Sequence, residues 1–265
     1  MLIEIENTSS PGASFTDNTN DVLLKINDWI KQNEDLVLPF KEFRMTLQRE
    51  KGINDNNSRN IYPLLKNGGL IQYENRGSLA TKNFFTKTGQ AYVAALDTKQ
   101  ILSKSEQYTD EQKRIASQKL DAIVSEIIRG ALSKILKNKE LNYVNPFREF
   151  MAFILNYNKI NKTEFAYYLY ERKYSDVATT LKSIEQNVLD YRAGNLEFDI
   201  NVNVRNDIKL REKTNSDKRK EGLSFLTSYT YFSSLLLQAD IVTKKDGYFV
   251  LKEERRTELI KLLEV

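Results

Sequence analysis

The stretch that decides the fold is LPFKEFRMTLQREKGINDNNSRNIYPLLKNGGLIQYENRGSLATKNFFTKT, Leu38–Thr88. It has the grammar of a winged helix-turn-helix. Behind Pro39, which suits a first turn, Phe40, Phe43 and Leu47 recur at spacings of three and four. That predicts an amphipathic helix over Phe40–Arg49, closed by Gly52. Ile53–Asp55 make a polar turn. A second helix opens on Asn56, Asn57, Ser58, Arg59 and Asn60, turns apolar through Ile61, Leu64 and Leu65, and stops at Gly68-Gly69. Pro63 strains it, because proline inside a helix costs ~3 kcal/mol. A kink or a later start is expected; a later start shifts the reading set toward Arg59, Tyr62 and Lys66. Two β-type segments follow, Leu70–Tyr73 and Lys82–Thr86, joined by a polar loop with Asn75 and Arg76.

Composition narrows the chemistry. The chain has 265 residues, 29% of them charged, and neither histidine nor cysteine. Disulfides, thiolate metal sites, serine and cysteine protease dyads and HExxH metal sites are excluded. An enzyme built from this chain must use carboxylates, lysine, tyrosine or an oxygen-liganded metal. No run of about 18 apolar residues is present and the first residues do not read as a secretory signal, so a cytoplasmic protein without a membrane partner is expected. The net charge is +4. Between Lys31 and Leu96 stand ten Lys/Arg and six Asp/Glu, so this segment holds the whole surplus. A locally basic module is the electrostatic footprint of a nucleic-acid reader.

Outward from that module, residues 1–20 read as an arm, a short strand followed by a flexible lead. Asp21 is expected to cap a helix over Val22–Gln32. Thr88–Leu96 closes the winged-helix domain, 21–97. Asp97–Asp110 reads as a linker or a fraying helix end. Asp110–Lys137 presents a broad apolar face that suits a core or bundle, with Gly130 as a candidate break; the helical linker or bundle is 98–140. A helix-turn-helix-like domain spans 141–204. It opens on Asn145-Pro146, turns at Lys159–Asn161, carries helices at Thr163–Leu169 and Ser175–Tyr191, and ends in a strand at Leu196–Val204. A C-terminal winged-helix-like domain, 205–265, holds a helix at Leu223–Gln238, a hairpin turning at Asp246-Gly247, and a last helix, Glu253–Glu264. The expected fold class is mainly α with small β-hairpins, as tandem winged helix-turn-helix subdomains.

These residues suit duplex DNA. The major groove admits one helix, read from its exposed N-terminal end. Asn56, Asn57 and Asn60 match adenine, Arg59 matches guanine, and Ser58 bonds either base or phosphate. Arg76 and Lys82 on the wing reach backbone or minor groove, and Lys66 adds phosphate contact, as do Lys51 and Arg49. Asn and Ser at a helix start also serve as ordinary caps, and winged helices also act as protein-interaction scaffolds. A magnesium nuclease is the catalytic alternative. Asp199 with Asp207-Ile208-Lys209 follows the loose D…(D/E)xK pattern, in which two carboxylates hold the metal and lysine steadies hydroxide. Charged neighbours, Arg205, Asn206 and Arg211, replace the apolar flanks that such a strand needs.

NPFREFMAFILNYNKINKTEFAYYL, Asn145–Leu169, resembles the DNA-recognition part of type IIS restriction endonucleases and related nickases of the FokI and AlwI kind. The resemblance lies in the Asn-Pro start, the apolar helix and the Lys/Thr-Glu-Phe second helix. It implies sequence-specific binding of duplex DNA through tandem winged-helix subdomains, with no cofactor for binding. It also implies a nuclease domain or subunit as partner, which would need magnesium. A replication initiator or transcription regulator is the alternative within the same class.

Overall fold

The computed structural model describes residues 2–6, 8–174, 177–203 and 226–264. They are mainly helical with small sheets and gather into two compact units. One comprises Pro11–Leu141 with Ser234–Asp240 (unit A). The other comprises Met1–Ser10, Asn142–Ser233 and Ile241–Glu264 (unit B).

In unit A, helix α1 is Asp17–Gln32. It starts earlier than Asp21, because the Thr16 side chain accepts the Thr19 N–H and caps it. The lead before it is not solvated: Ala13, Ser14 and Phe15 are buried. Strand β2, Val37–Pro39, precedes α2, Phe40–Lys51, and α3, Asp55–Asn67. Gly52 ends α2 in the left-handed region, at φ 66°. The end of α3 has a hydrogen-bonded cause: Gly69, at φ +71°, donates to Lys66 O (2.9 Å), and Leu70 N–H reaches Leu65 O (2.8 Å). Pro63 lies inside α3 without ending it. Having no N–H, it gives the Arg59 carbonyl no helical donor.

The regular strand after α3 is not where the sequence places it. Strand β3 is Ser78–Ala80, and it pairs antiparallel with β2, Leu38 opposite Leu79. Of the expected Leu70–Tyr73 and Lys82–Thr86 pair, the bridge Ile71–Phe85 is present, flanked by Gln72 N to Phe84 O and Thr86 N to Leu70 O. A 3-10 turn, Thr81–Asn83, lies between. The core is aromatic: Phe43 stacks edge-on against Trp29 (5.6 Å) and meets Phe84 (5.0 Å), and Tyr62 meets Phe84 (5.7 Å). Burying each such ring contributes ~1.5–3 kcal/mol. Helix α4, Lys87–Lys104, runs past the expected Leu96 into the supposed linker. Helix α5, Asp110–Lys137, opens on a Thr109/Gln112 capping box, and Gly130 does not break it.

In unit B, β1, Leu2–Glu6, pairs in parallel with β5, Asp199–Asn203. Helix α6 is Val144–Tyr157, placing Asn145-Pro146 within its first turn rather than at its cap. Strand β4, Lys159–Ile160, replaces the expected turn. Asn161 then caps α7, Lys162–Tyr174, accepting from Glu164 N–H while the Glu164 carboxylate accepts from Asn161 N–H. Helix α8 is Val177–Arg192; its expected cap, Ser175, lies outside the described residues. Helix α9, Thr227–Gln238, whose residues from Ser234 on count with unit A, leads to strands β6, Val242–Lys245, and β7, Tyr248–Leu251. Asp246 (φ 50°) and Gly247 (φ 79°) form the two-residue hairpin turn that the Asp-Gly pair predicts. A 3-10 turn, Glu253–Arg255, and helix α10, Arg256–Leu263, follow. The sheet order is β4-β7-β6.

Candidate nucleic-acid interface

Helices α2 and α3 are joined by three residues, Gly52–Asn54. Helix α3 is strictly two-faced. Ser58, Ile61, Tyr62, Leu64 and Leu65 are buried, while Arg59, Asn60, Pro63 and Lys66 are exposed. The exposed four follow helical spacing, so they make one solvent face. Of the expected reading residues, Arg59 and Asn60 lie on this solvent face. Ser58 does not. It is 2% exposed, and its hydroxyl reaches back to the Asn54 carbonyl at 3.3 Å, so it leaves the reading set as a local capping residue. Asn56 and Asn57 belong to the first turn of α3.

Asp55 sets the electrostatics of that first turn. It accepts from Arg59 (Nε 3.0 Å, Nη2 2.9 Å) and from Arg44 Nη1 (3.0 Å). Two guanidiniums share one carboxylate, which leaves one positive charge. The Arg59 side chain is 67% exposed. An i,i+4 surface pair of this kind is worth only ~0.3–0.5 kcal/mol, so Arg59 is free to exchange Asp55 for another acceptor. Arg44 is held more tightly, one-quarter exposed and lying over the Phe40 ring at 5.6 Å.

Lys66 is exposed yet engaged. Its ammonium donates to Tyr73 O (2.9 Å) and sits 4.7 Å over the Tyr73 ring, which also stacks on Phe40 at 4.2 Å. Burial raises the Tyr62 and Tyr73 hydroxyls above the usual phenol range, so neither adds negative charge beneath the face. Phe40 N–H donates to Gly77 O (3.1 Å), and Lys41 and Arg76 flank the two ends of that bond. Lys41, Arg76 and Lys82 are exposed, and none makes an ion pair among the described residues. Lys51 and Arg49, expected at phosphate, pair with Asp28 and Glu50.

Sequence reasoning does not single out Arg44, Lys41 or Tyr73. Arg44 had a legible signal, an arginine four residues after Phe40 on the predicted helix. The Tyr73–Lys66 pairing had none, because it depends on how the chain returns after Gly69.

Asp199 is exposed on β5. Its proposed metal-site companions, Asp207 and Lys209, lie outside the described residues. Among the described residues, no group of three or more acidic side chains is placed to hold a metal ion. No helix of the described residues is long and apolar enough to cross a membrane. No known protein family matches the chain, and no curated protein or solved structure is significantly similar to it.

Proposed function

We propose that the chain binds double-stranded DNA sequence-specifically, with unit A acting as a winged helix-turn-helix and α3 entering the major groove. The observation that carries this reading is the solvent face of α3. Arg59 and Asn60 are exposed there near its N-terminal end, beside Lys66, while Arg76 and Lys82 stand exposed on the β3 side without carboxylate partners among the described residues. Paired donors on a helix end read base edges, and unpaired cations beside it neutralise phosphate. In this reading Lys66 steadies the approach of the wing through Tyr73 and meets phosphate with its remaining donors. The role fits the recognition part of a restriction-type system, with cleavage supplied by a magnesium-dependent nuclease domain or subunit.

The test is selection of bound sequences from a random duplex pool, followed by titration over a salt series. The expected result is one enriched motif whose affinity falls steeply with salt. Absence of duplex binding at low salt would overturn the proposal.

A further inference from the structure

We infer that the outer face of α5 is a self-association surface, through which two copies of the chain pair antiparallel about a two-fold axis between Ala122 and Ile123. Helix α5 has 28 residues and is therefore about 42 Å long. Its last third is core: Ile128, Ala131, Leu132, Ile135 and Leu136 are buried. None of residues 110–127 is buried. The broad apolar face legible in the sequence is thus only partly covered by the described residues. Ile115 is 42% exposed and Ile123 47%. Beside them runs an apolar groove of about 560 Å³, bordered by Leu102, Tyr108, Ile115 and Leu120.

The exposed stripe is Ile115, Lys119, Ala122, Ile123, Glu126 and Gly130. At 3.6 residues per turn these six fall within an arc of roughly 100°. Reversing the stripe about a point between Ala122 and Ile123 brings Lys119 opposite Glu126, Ile123 opposite Ala122, and Ile115 opposite Gly130. Each match occurs twice across a two-fold axis, as an isologous contact requires. Lys119 and Glu126 make no ion pair with any described residue. Gly130 is unexplained by the packing of the described residues, since an added Cβ there would meet none of them within 4 Å. An isoleucine laid against it from a second copy gives the missing side chain a reason. The stripe also carries one positive and one negative charge, so self-pairing is not opposed by like charge. An unrelated partner would give it no cause to complement its own reversal.

Sedimentation equilibrium of the full chain tests this. The expected result is association from 30.8 kDa toward twice that mass as concentration rises through the micromolar range. Lys119→Glu and Glu126→Lys should each weaken association roughly tenfold. The double variant should restore it, because opposite charges again face each other. Ile123→Glu should weaken it at least as much, while Leu189→Glu, at an exposed apolar residue of α8, should leave it unchanged. Circular dichroism melts report whether each variant stays folded. A chain that stays monomeric throughout overturns the inference. So does a folded double variant that fails to recover association, or a Leu189→Glu effect equal to that of Ile123→Glu.

Discussion

In both units the short strand after the first helix pairs antiparallel with a late strand. Val37–Pro39 joins Ser78–Ala80 in unit A, and Lys159–Ile160 joins Tyr248–Leu251 in unit B. The two units share this pairing but not their element order, since β5, α9 and β6 precede β7 in unit B, and the helices are used differently. In unit A, α3 leaves Arg59, Asn60, Pro63 and Lys66 open. In unit B, α7 buries Glu164, Phe165, Ala166, Tyr167 and Tyr168, and the unit-B part of α9 buries Tyr229, Phe232 and Ser233. On α8 the exposed described residues include Glu185 and Gln186, with no lysine or arginine among them. Strand order alone does not set α3 apart from the helices of unit B. Its burial pattern and the sign of its open charges do.

The largest expected effect tests whether unit B's charges are structural. The Glu164 carboxylate, fully buried, receives Arg192 Nε at 2.6 Å. Arg192→Met leaves it without its counter-ion and should destabilise unit B by about 3–5 kcal/mol, read from urea unfolding. A loss below about 1 kcal/mol would mean that Arg192 is available for a ligand instead. Next is Gly89→Ala in unit A. A Cβ there would sit 1.8 Å from Leu70 O, so the backbone feeding the Ile71–Phe85 bridge must move. About 3 kcal/mol of thermal stability should go.

Arg59→Ala should cost roughly 1–3 kcal/mol on the cognate duplex and relax one base position, while leaving stability within about 0.5 kcal/mol. Gln186→Ala on α8, measured alongside, should leave the selected motif unchanged; a comparable loss there would erase the distinction between the units. Arg76→Ala and Lys82→Ala should weaken binding uniformly across sequences, each lowering the salt slope by about 1. The smallest effect is expected from Lys244→Ala at the exposed β6–β7 hairpin, with the slope unchanged. A drop of about 1 there would show both units touching phosphate.

Much of the helical scaffold was legible. The bounds Asp110–Lys137 follow from the apolar period of 3.6, and the structure adds the Thr109/Gln112 capping box that fixes the start. Gly69 and Asp246-Gly247 were legible because left-handed backbone narrows the choice of residue. Three kinds of feature were not. Short strands such as Val37–Pro39 and Lys159–Ile160 exist only through their partners and are too brief to show alternation. The Asn161/Glu164 box was written in the sequence but masked by reading Lys159–Asn161 as a turn. At the candidate site, polarity places a residue near a helix start without saying which way it faces. Ser58 and Arg59 are equally polar, and only the packing of Tyr62 and Ile61 decides that one goes in and the other out.

The pairing of β1 with β5 has a consequence in time. Leu2 lies opposite Asp199 and Glu6 opposite Asn203, so a strand waits 197 residues for its neighbour. At ribosomal speeds of about 5–20 residues per second, that interval is roughly 10–40 s. Throughout it, Leu2–Glu6 leaves its backbone donors and acceptors without their sheet partner, and loop closure across such a span is slow compared with local helix formation. Unit A is made almost entirely from the intervening residues and can fold during that interval. The molecule would therefore acquire its candidate DNA-reading module before unit B's parallel strand pair closes.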